Sequence, residues 1–276
     1  METYTLNNGN YIPVMGFGTF PMKKMELIKA VWDGVNVGYN YFDTACAYRN
    51  EIELGMALRR YSKSKRSQLF VSTKISNRQQ EDKNVRASLK RSLLKLGLKS
   101  IDMYMLHWPY TGYYLDTWKE MEELYEEGLI KNIGVCNFHV HHLEELMTKC
   151  HVVPAVNQIE LHPLLTQKPV REFCDAHKII VEAYSPTARM DKKLVEHPVL
   201  VDIAEKHNKT VVQIILRWNI QNKVIPIIKS SSLQRMSSNI DVFDFMLSND
   251  EMEQIESINE NYRVRYDPDN CDFTKL

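Results

Sequence analysis

Residues 101–107, "IDMYMLH", carry apolar side chains at consecutive positions and then stop on a histidine. A strand with one wet face alternates apolar and polar residues. A run with little alternation belongs in a sheet covered on both sides, which is characteristically parallel and flanked by helices. "IIVEAYS", residues 179–185, reads the same way. Working outward, strand-like runs begin near Tyr41, Gln68, Ser100, Leu129, Ala155, Ile179 and Lys223, with a short earlier one over Val14–Gly18. Between them, segments such as "DTWKEMEELYEEG" (116–128) and "VREFCDAHK" (170–178) place apolar residues at helical spacing. The longest gap, before Lys223, holds two helical patterns, Val199–Lys206 and Val211–Gln221. At the amino end, "TYTLNNGNYIPVM" (3–15) offers two short β runs around Asn-Gly, a hairpin signal.

Eight strands, each followed by a helix, predict an α/β fold of the (β/α)8 barrel type with an N-terminal β-hairpin. The length of 276 residues suits it, since such barrels need about 250. No Gly/Pro/Ser-rich linker or low-complexity stretch divides the chain, so residues 1–276 are expected to form a single barrel domain. An open doubly wound sheet is the competing architecture, and if it bound a dinucleotide it would show G-x-G-x-x-G in its first βα turn. The nearest match, "GFGTFP" (16–21), has Pro21 in place of the third glycine.

Lysine plus arginine equals aspartate plus glutamate at 35 each, so no global field draws the chain to nucleic acid or to an anionic membrane. The amino terminus has no basic segment followed by an apolar run, and no apolar stretch approaches the roughly 18 residues that span a bilayer. The five cysteines form no C-x-x-C pair and are odd in number, which reads as reduced thiols in a cytoplasmic protein. Nothing resembles a dimer seam, so a monomer is expected.

In such a barrel, chemistry belongs at the carboxyl ends of the strands. Asp43 closes the second strand and Tyr48 lies in the loop after it; Lys74 closes the third, "LFVSTK", and His107 the fourth. Taken singly, Asp43 reads as a helix cap, Tyr48 as packing, Lys74 as a solvated strand end and His107 as a core histidine. Together they make chemical sense. A phenol has a pKa of about 10, an adjacent ammonium lowers it, and a carboxylate keeps that ammonium charged. The expected chain is Tyr48–Lys74–Asp43, with His107 donating a hydrogen bond to a substrate oxygen. It suits hydride addition to a carbonyl, where a negative oxygen develops and must be protonated. No side chain donates hydride, so a nicotinamide is required.

"FDTACAYRNEIELG", "VSTK", "LHWP", "IGVCNF", "NQIELHP", "AYSP" and "KSSSLQR" with Asn239 occur in order from about Gly16 to Asn239. Together they resemble the aldo-keto reductases, in particular short-loop bacterial members such as the 2,5-diketo-gluconate reductases. The resemblance implies the same barrel, NADPH as cofactor, and the catalytic residues Asp43, Tyr48, Lys74 and His107. It also implies that Asn137 and Gln158 hold the nicotinamide carboxamide, that Tyr184 stacks on the ring with Ser185 beside it, and that Thr19 and Asp43 meet the ribose. Lys229, Ser230 and Arg235 match positions that grip the adenosine 2′-phosphate, and Asn239 the one facing adenine. Two cations and a hydroxyl entering a short helix form an anion site in their own right.

Several positions depart from the family's usual sequence. Cys136 stands where a serine is common, and a thiol donates weakly, so one carboxamide hydrogen bond is expected to weaken. Ile228 stands for a frequent proline before the lysine, Asn40 for a commonly basic residue, and Thr187–Ala188–Arg189 for a Leu-x-Gly type of turn. Phe20, Trp108, Tyr110 and Tyr113 are expected to ring the substrate mouth and favour apolar or flat carbonyl compounds. Short loops imply an open pocket, over which a tail bearing Tyr266 and Phe273 can fold. "HVHH" (139–142) has no carboxylate or cysteine at ligand spacing and reads as surface histidines, so no metal is expected. The alternative is a non-catalytic nicotinamide-sensing subunit on the same fold, against which the complete set of four residues argues. A metal-dependent barrel hydrolase is disfavoured, because no His-x-His closes the first strand and no acidic cluster is present.

Overall fold

A computed structural model describes residues 2–275. The two runs around Asn8-Gly9 form an antiparallel hairpin, β1 (Thr3–Thr5) and β2 (Tyr11–Pro13), with Tyr4 opposite Ile12. Gly9 takes a φ of +85° at the turn, where a side chain would be strained, and its N–H donates to the Leu6 carbonyl.

Eight parallel strands then close into a barrel. They are β3 (Gly16–Gly18), β4 (Tyr41–Asp43), β5 (Phe70–Ile75), β6 (Met103–Leu106), β7 (Ile133–Cys136), β8 (Val156–Glu160), β9 (Ile180–Tyr184) and β10 (Val224–Ile228). Neighbours in sequence are neighbours in the barrel, and β10 pairs with β3 to close it. The expected architecture is therefore the observed one. β6 and β7 begin three and four residues later than their apolar runs. Side chains account for that delay. Asp102 Oδ2 takes the Val71 N–H and Asn132 Nδ2 donates to the Asp102 carbonyl, so side-chain bonds interrupt the ladder at Asp102 and leave only an isolated Ile101–Ile130 bridge below it.

The pleat sorts each strand into two cores. Phe17, Phe42, Val71, Tyr104, Leu106, Val135 and Ala183 face outward and pack in the large cluster that joins barrel to helices. Tyr41, Met103, Met105, Cys136, Val156, Ile225 and Ile227 fill a second cluster that includes Leu6 and Ile12 of the hairpin. The hairpin also bonds to the amino-terminal approaches of two strands, through Tyr4 Oη to the Ile220 carbonyl and Asn7 Nδ2 to the Pro154 carbonyl. It therefore plugs the amino-terminal end, leaving the carboxyl ends of the strands free for chemistry. Inside, a Cβ on Gly16 would stand 2.3 Å from Ile227 Cδ1 and 3.0 Å from the Tyr41 ring, so a side chain there would force Ile227 to move. Among the described residues, no helix is long and apolar enough to cross a membrane.

Candidate active site

Asp43, the last residue of β4, and Lys74, the penultimate residue of β5, both point inward and are buried. Lys74 Nζ donates to Asp43 Oδ1 at 2.5 Å and to the Thr44 carbonyl at 3.0 Å. Asp43 Oδ1 also accepts from Ser72 Oγ at 2.7 Å and from Gln158 Nε2 at 3.2 Å. A buried ion pair needs further hydrogen bonds to offset the loss of water, and three donors converge on Oδ1, while Oδ2 has no hydrogen-bond partner among the described residues. Tyr48 is set by the turn after β4. A single 3-10 turn, Cys46–Tyr48, ends on Arg49 in the left-handed region at φ 55°. Asn50 then binds the turn from outside, accepting from Thr44 Oγ1 at 2.6 Å and donating to the Met22 carbonyl at 3.0 Å. Lys74 Nζ lies 5.4 Å from the centroid of the Tyr48 ring. The His107 ring stands edge-on to that ring, centroids 5.7 Å apart. The four residues predicted from separate strands thus form one cluster.

Its electrostatics differ from expectation in one respect. Lys74 does pull the Tyr48 phenol down, but loss of water outweighs it and the phenol is pushed up to about 12. A lysine beside a phenol lowers its pKa only relative to the same phenol buried alone. Tyr48 is therefore a neutral hydroxyl at neutral pH. The Lys74 ammonium is held above its ordinary range: burial works against the charge, and Asp43 more than restores it. His107 is driven the other way, to about 3, by burial first and then by Lys74 and Arg265. It is a neutral imidazole with one N–H to give.

Around this cluster, Asn137 follows β7 in the left-handed region at φ 64°. Its Nδ2 donates to the His107 carbonyl at 2.9 Å, and its Oδ1 accepts from Tyr184 Oη at 2.7 Å. Gln158 of β8 and Tyr184, the last residue of β9, complete the inward ring, and Ser185 follows at φ 49°. Thr19, directly after β3, is fully buried and donates its N–H to the Asp43 carbonyl at 3.1 Å. The Cys136 thiol turns inward to Met105 Sδ at 3.7 Å and packs within the barrel.

Lys229 follows β10, and Arg235 lies in the first turn of the helix Leu233–Ile240, capped by Ser232 Oγ. Both are exposed, and among the described residues neither is paired with a carboxylate. Ser230 and Asn239 are buried beside them. A nicotinamide dinucleotide phosphate fits these features. The barrel mouth offers the Gln158 carbonyl oxygen, which lacks a protein donor among the described residues. The far side offers unpaired cations at a helix start.

The profile of the aldo/keto reductase family matches residues 14–260. The chain belongs to that family. It is 41% identical to glyoxal reductase of Bacillus subtilis, over 99% of this chain and 98% of the relative. It is 42% identical to methylglyoxal reductase DkgA of Escherichia coli O157:H7, over 96% of each. Among solved structures, an aldo-keto reductase of Bombyx mori in complex with NADP superposes with a TM-score of 0.90 at 34% identity, covering 97% of this chain and 96% of that one.

This aldo-keto reductase also carries site features that sequence reading did not supply. Ser72, Tyr41 and Glu182 lie inside the barrel beneath the cluster; Tyr41 Oη is 2.8 Å from Glu182 Oε1 and 3.2 Å from Ser72 Oγ. Their signal is polarity at inward positions of otherwise apolar strands, as with Glu182 two residues before Tyr184. The mouth is less open than its short loops imply. Phe20 leans on Tyr48, centroids 5.0 Å apart, and Trp108 and Tyr110 line the opposite rim with Tyr113 against Tyr110. Phe273 of the tail packs on Trp108 and Tyr110, and Asn77 Nδ2 donates to its carbonyl at 2.9 Å. Tyr266 is exposed. The tail is held by buried Glu160, whose carboxylate accepts from the Val264 and Arg265 N–H groups at 2.6 and 3.0 Å. It also brings the carboxylate that "HVHH" lacks in sequence: Asp269 faces His139 Nδ1 at 2.8 Å and His141 Nε2 at 3.3 Å. There His139 Nε2 accepts from Arg263 of the tail, and His142 Nδ1 accepts the His139 N–H at the start of its own helix.

Proposed function

We propose that this chain reduces aldehydes and ketones to alcohols with NADPH, Tyr48 giving the proton. The observation that carries the reading is the buried Lys74–Asp43 pair, 2.5 Å apart, beside a Tyr48 ring that stands edge-on to His107. When bound, the reduced nicotinamide supplies the hydride. His107, neutral and fixed between Ile75 and Asn137 through its backbone, donates a hydrogen bond to the substrate oxygen and orients it. Tyr48 delivers its proton to the same oxygen as negative charge builds there. A neutral phenol is the right starting form for an acid, and the Lys74 ammonium stabilises the phenolate left behind. Asp43 keeps Lys74 charged, and Ser72 and Gln158 keep Asp43 in place.

Cofactor contacts are assigned by the family's motif. Thr19 and Asp43 meet the ribose, Asn137, Gln158, Tyr184 and Ser185 the nicotinamide, Lys229, Ser230 and Arg235 the 2′-phosphate, and Asn239 the adenine. Phe20, Trp108 and Tyr110 form the substrate rim with Tyr48 and His107. Relatives named glyoxal and methylglyoxal reductase favour small α-dicarbonyl compounds among the substrates. The reading includes a cytoplasmic monomer, in keeping with five free cysteines. A panel of aldehydes, ketones and α-ketoaldehydes, followed by loss of NADPH absorbance, tests it. Turnover with α-ketoaldehydes is expected; NADPH bound but never consumed would overturn the reductase reading in favour of a sensor.

A further inference from the structure

Glu182 is fully buried inside the barrel, on the same inward face of β9 as Tyr184. Burial pushes its carboxyl up to about 7, and Asp43 adds to the rise, against the hydrogen bonds of Gln158 and Tyr41 and the charge of Lys74. Its surroundings account for its protons. Oε2 accepts from Gln158 Nε2 at 2.7 Å, Oε1 lies 2.8 Å from Tyr41 Oη, and Ser72 Oγ, 3.2 Å from Tyr41 Oη, donates to Asp43 Oδ1 at 2.7 Å. Tyr41 has a single proton. With Glu182 neutral, the protons run one way, from Glu182 to Tyr41 to Ser72 to Asp43, and each hydroxyl both gives and receives. With Glu182 ionised, Tyr41 must turn to it and Ser72 Oγ loses its donor. Ile225 stands opposite Glu182 on β10, and the Cys136 thiol is close enough to feel its charge.

Both N–H groups of Gln158 are consequently taken, one by Asp43 Oδ1 at 3.2 Å and one by Glu182 Oε2 at 2.7 Å. An amide turned end for end would set its oxygen against those two carboxyl oxygens, so the orientation is fixed and Oε1 is left without a protein donor. We propose that Glu182 is a positioning residue: with Asp43 it locks the Gln158 amide so that Oε1 is presented to the N–H2 of the nicotinamide carboxamide. This inference rests on the reading that the nicotinamide binds beside Gln158, and Glu182 acts only through that side chain.

Full-length wild type, E182Q, E182M, Q158M and Q158M/E182M are compared for NADPH dissociation constant and for kcat and KM, with melting temperatures as a control on folding. In E182Q the new amide accepts from Gln158 and donates to Tyr41, so binding is expected within about twofold of wild type. E182M removes the acceptor, and NADPH is expected to bind about tenfold more weakly, a typical loss for one buried hydrogen bond. In the Q158M background, E182M should add nothing. Wild-type binding by E182M, or a further tenfold loss on top of Q158M, would overturn the proposal. Should E182M fail to fold, neutron diffraction of the wild-type NADP complex decides the matter. Gln158 deuterons on Asp43 and Glu182 support the proposal, and the reverse orientation overturns it. Failure of the wild type to bind NADPH removes the cofactor reading itself, an outcome distinct from variants that all bind equally.

Discussion

Replacing Glu182 by glutamine should change how stability depends on pH. Burial moves this carboxyl from its ordinary 4.5 to about 7 in the folded state. The folded pKa is the higher one, so between those values the native protein binds more protons than the unfolded chain. Glu182 therefore costs little in acid and costs progressively more as pH rises through 7. From pH 5.5 to pH 8.5, integration over the two pKa values gives a loss of about 2 kcal/mol from this one group. Glutamine keeps the shape and cannot ionise. Guanidinium unfolding of wild type and E182Q at both pH values isolates the effect, because every other titrating group is common to the two proteins. The stability of E182Q relative to wild type should rise by about 2 kcal/mol between pH 5.5 and pH 8.5. Parallel pH profiles would show that Glu182 is not a neutral acid at low pH in the native barrel, and the proton chain to Asp43 would fall with it.

Two further outcomes follow from the site. His107, driven to about 3, stays neutral across the working range, so carbonyl reduction should show no histidine inflection near pH 6.5; an inflection there that disappears in H107Q would contradict the assignment. Lys229 is exposed and carries no acid partner among the described residues, so K229M should weaken NADPH about tenfold, a typical value for one charge-assisted contact in water, and leave NADH nearly unchanged. Equal losses for the two cofactors, measured by fluorescence titration, would remove the 2′-phosphate assignment.

The barrel was readable from "IDMYMLH" and its counterparts because a strand covered on both faces loses its alternation, and eight such runs between helical segments leave few architectures. The cluster was readable because its members close successive strands, and strand ends share one face of a barrel. Sequence could not weigh burial against charge at Tyr48, since desolvation depends on how tightly the cleft closes around it. It also could not pair groups distant along the chain. Asp269 reaches the 139–142 histidines, and Glu160 reaches Val264, only because the tail folds back over the mouth. Glu182 was hidden differently: within "IIVEAYS" a lone acid looks like an interruption of the strand, and its meaning depends on Tyr41 and Gln158 arriving from other strands. The late starts of β6 and β7 have the same origin, in the side-chain bonds of Asp102 and Asn132.

The claim on which the rest depends is that the Tyr48 hydroxyl is the proton donor to the new alcohol. Tyr48→Phe keeps the ring, its packing on Phe20 and the space for cofactor, and deletes only the oxygen. Single-turnover reduction of an α-ketoaldehyde by Y48F, with NADPH binding followed separately by fluorescence, measures that claim directly. Binding should be unchanged and the rate lower by about 10²-fold to 10⁴-fold, the usual worth of a general acid. A Y48F enzyme that binds NADPH and still reduces the carbonyl at the wild-type rate would contradict it.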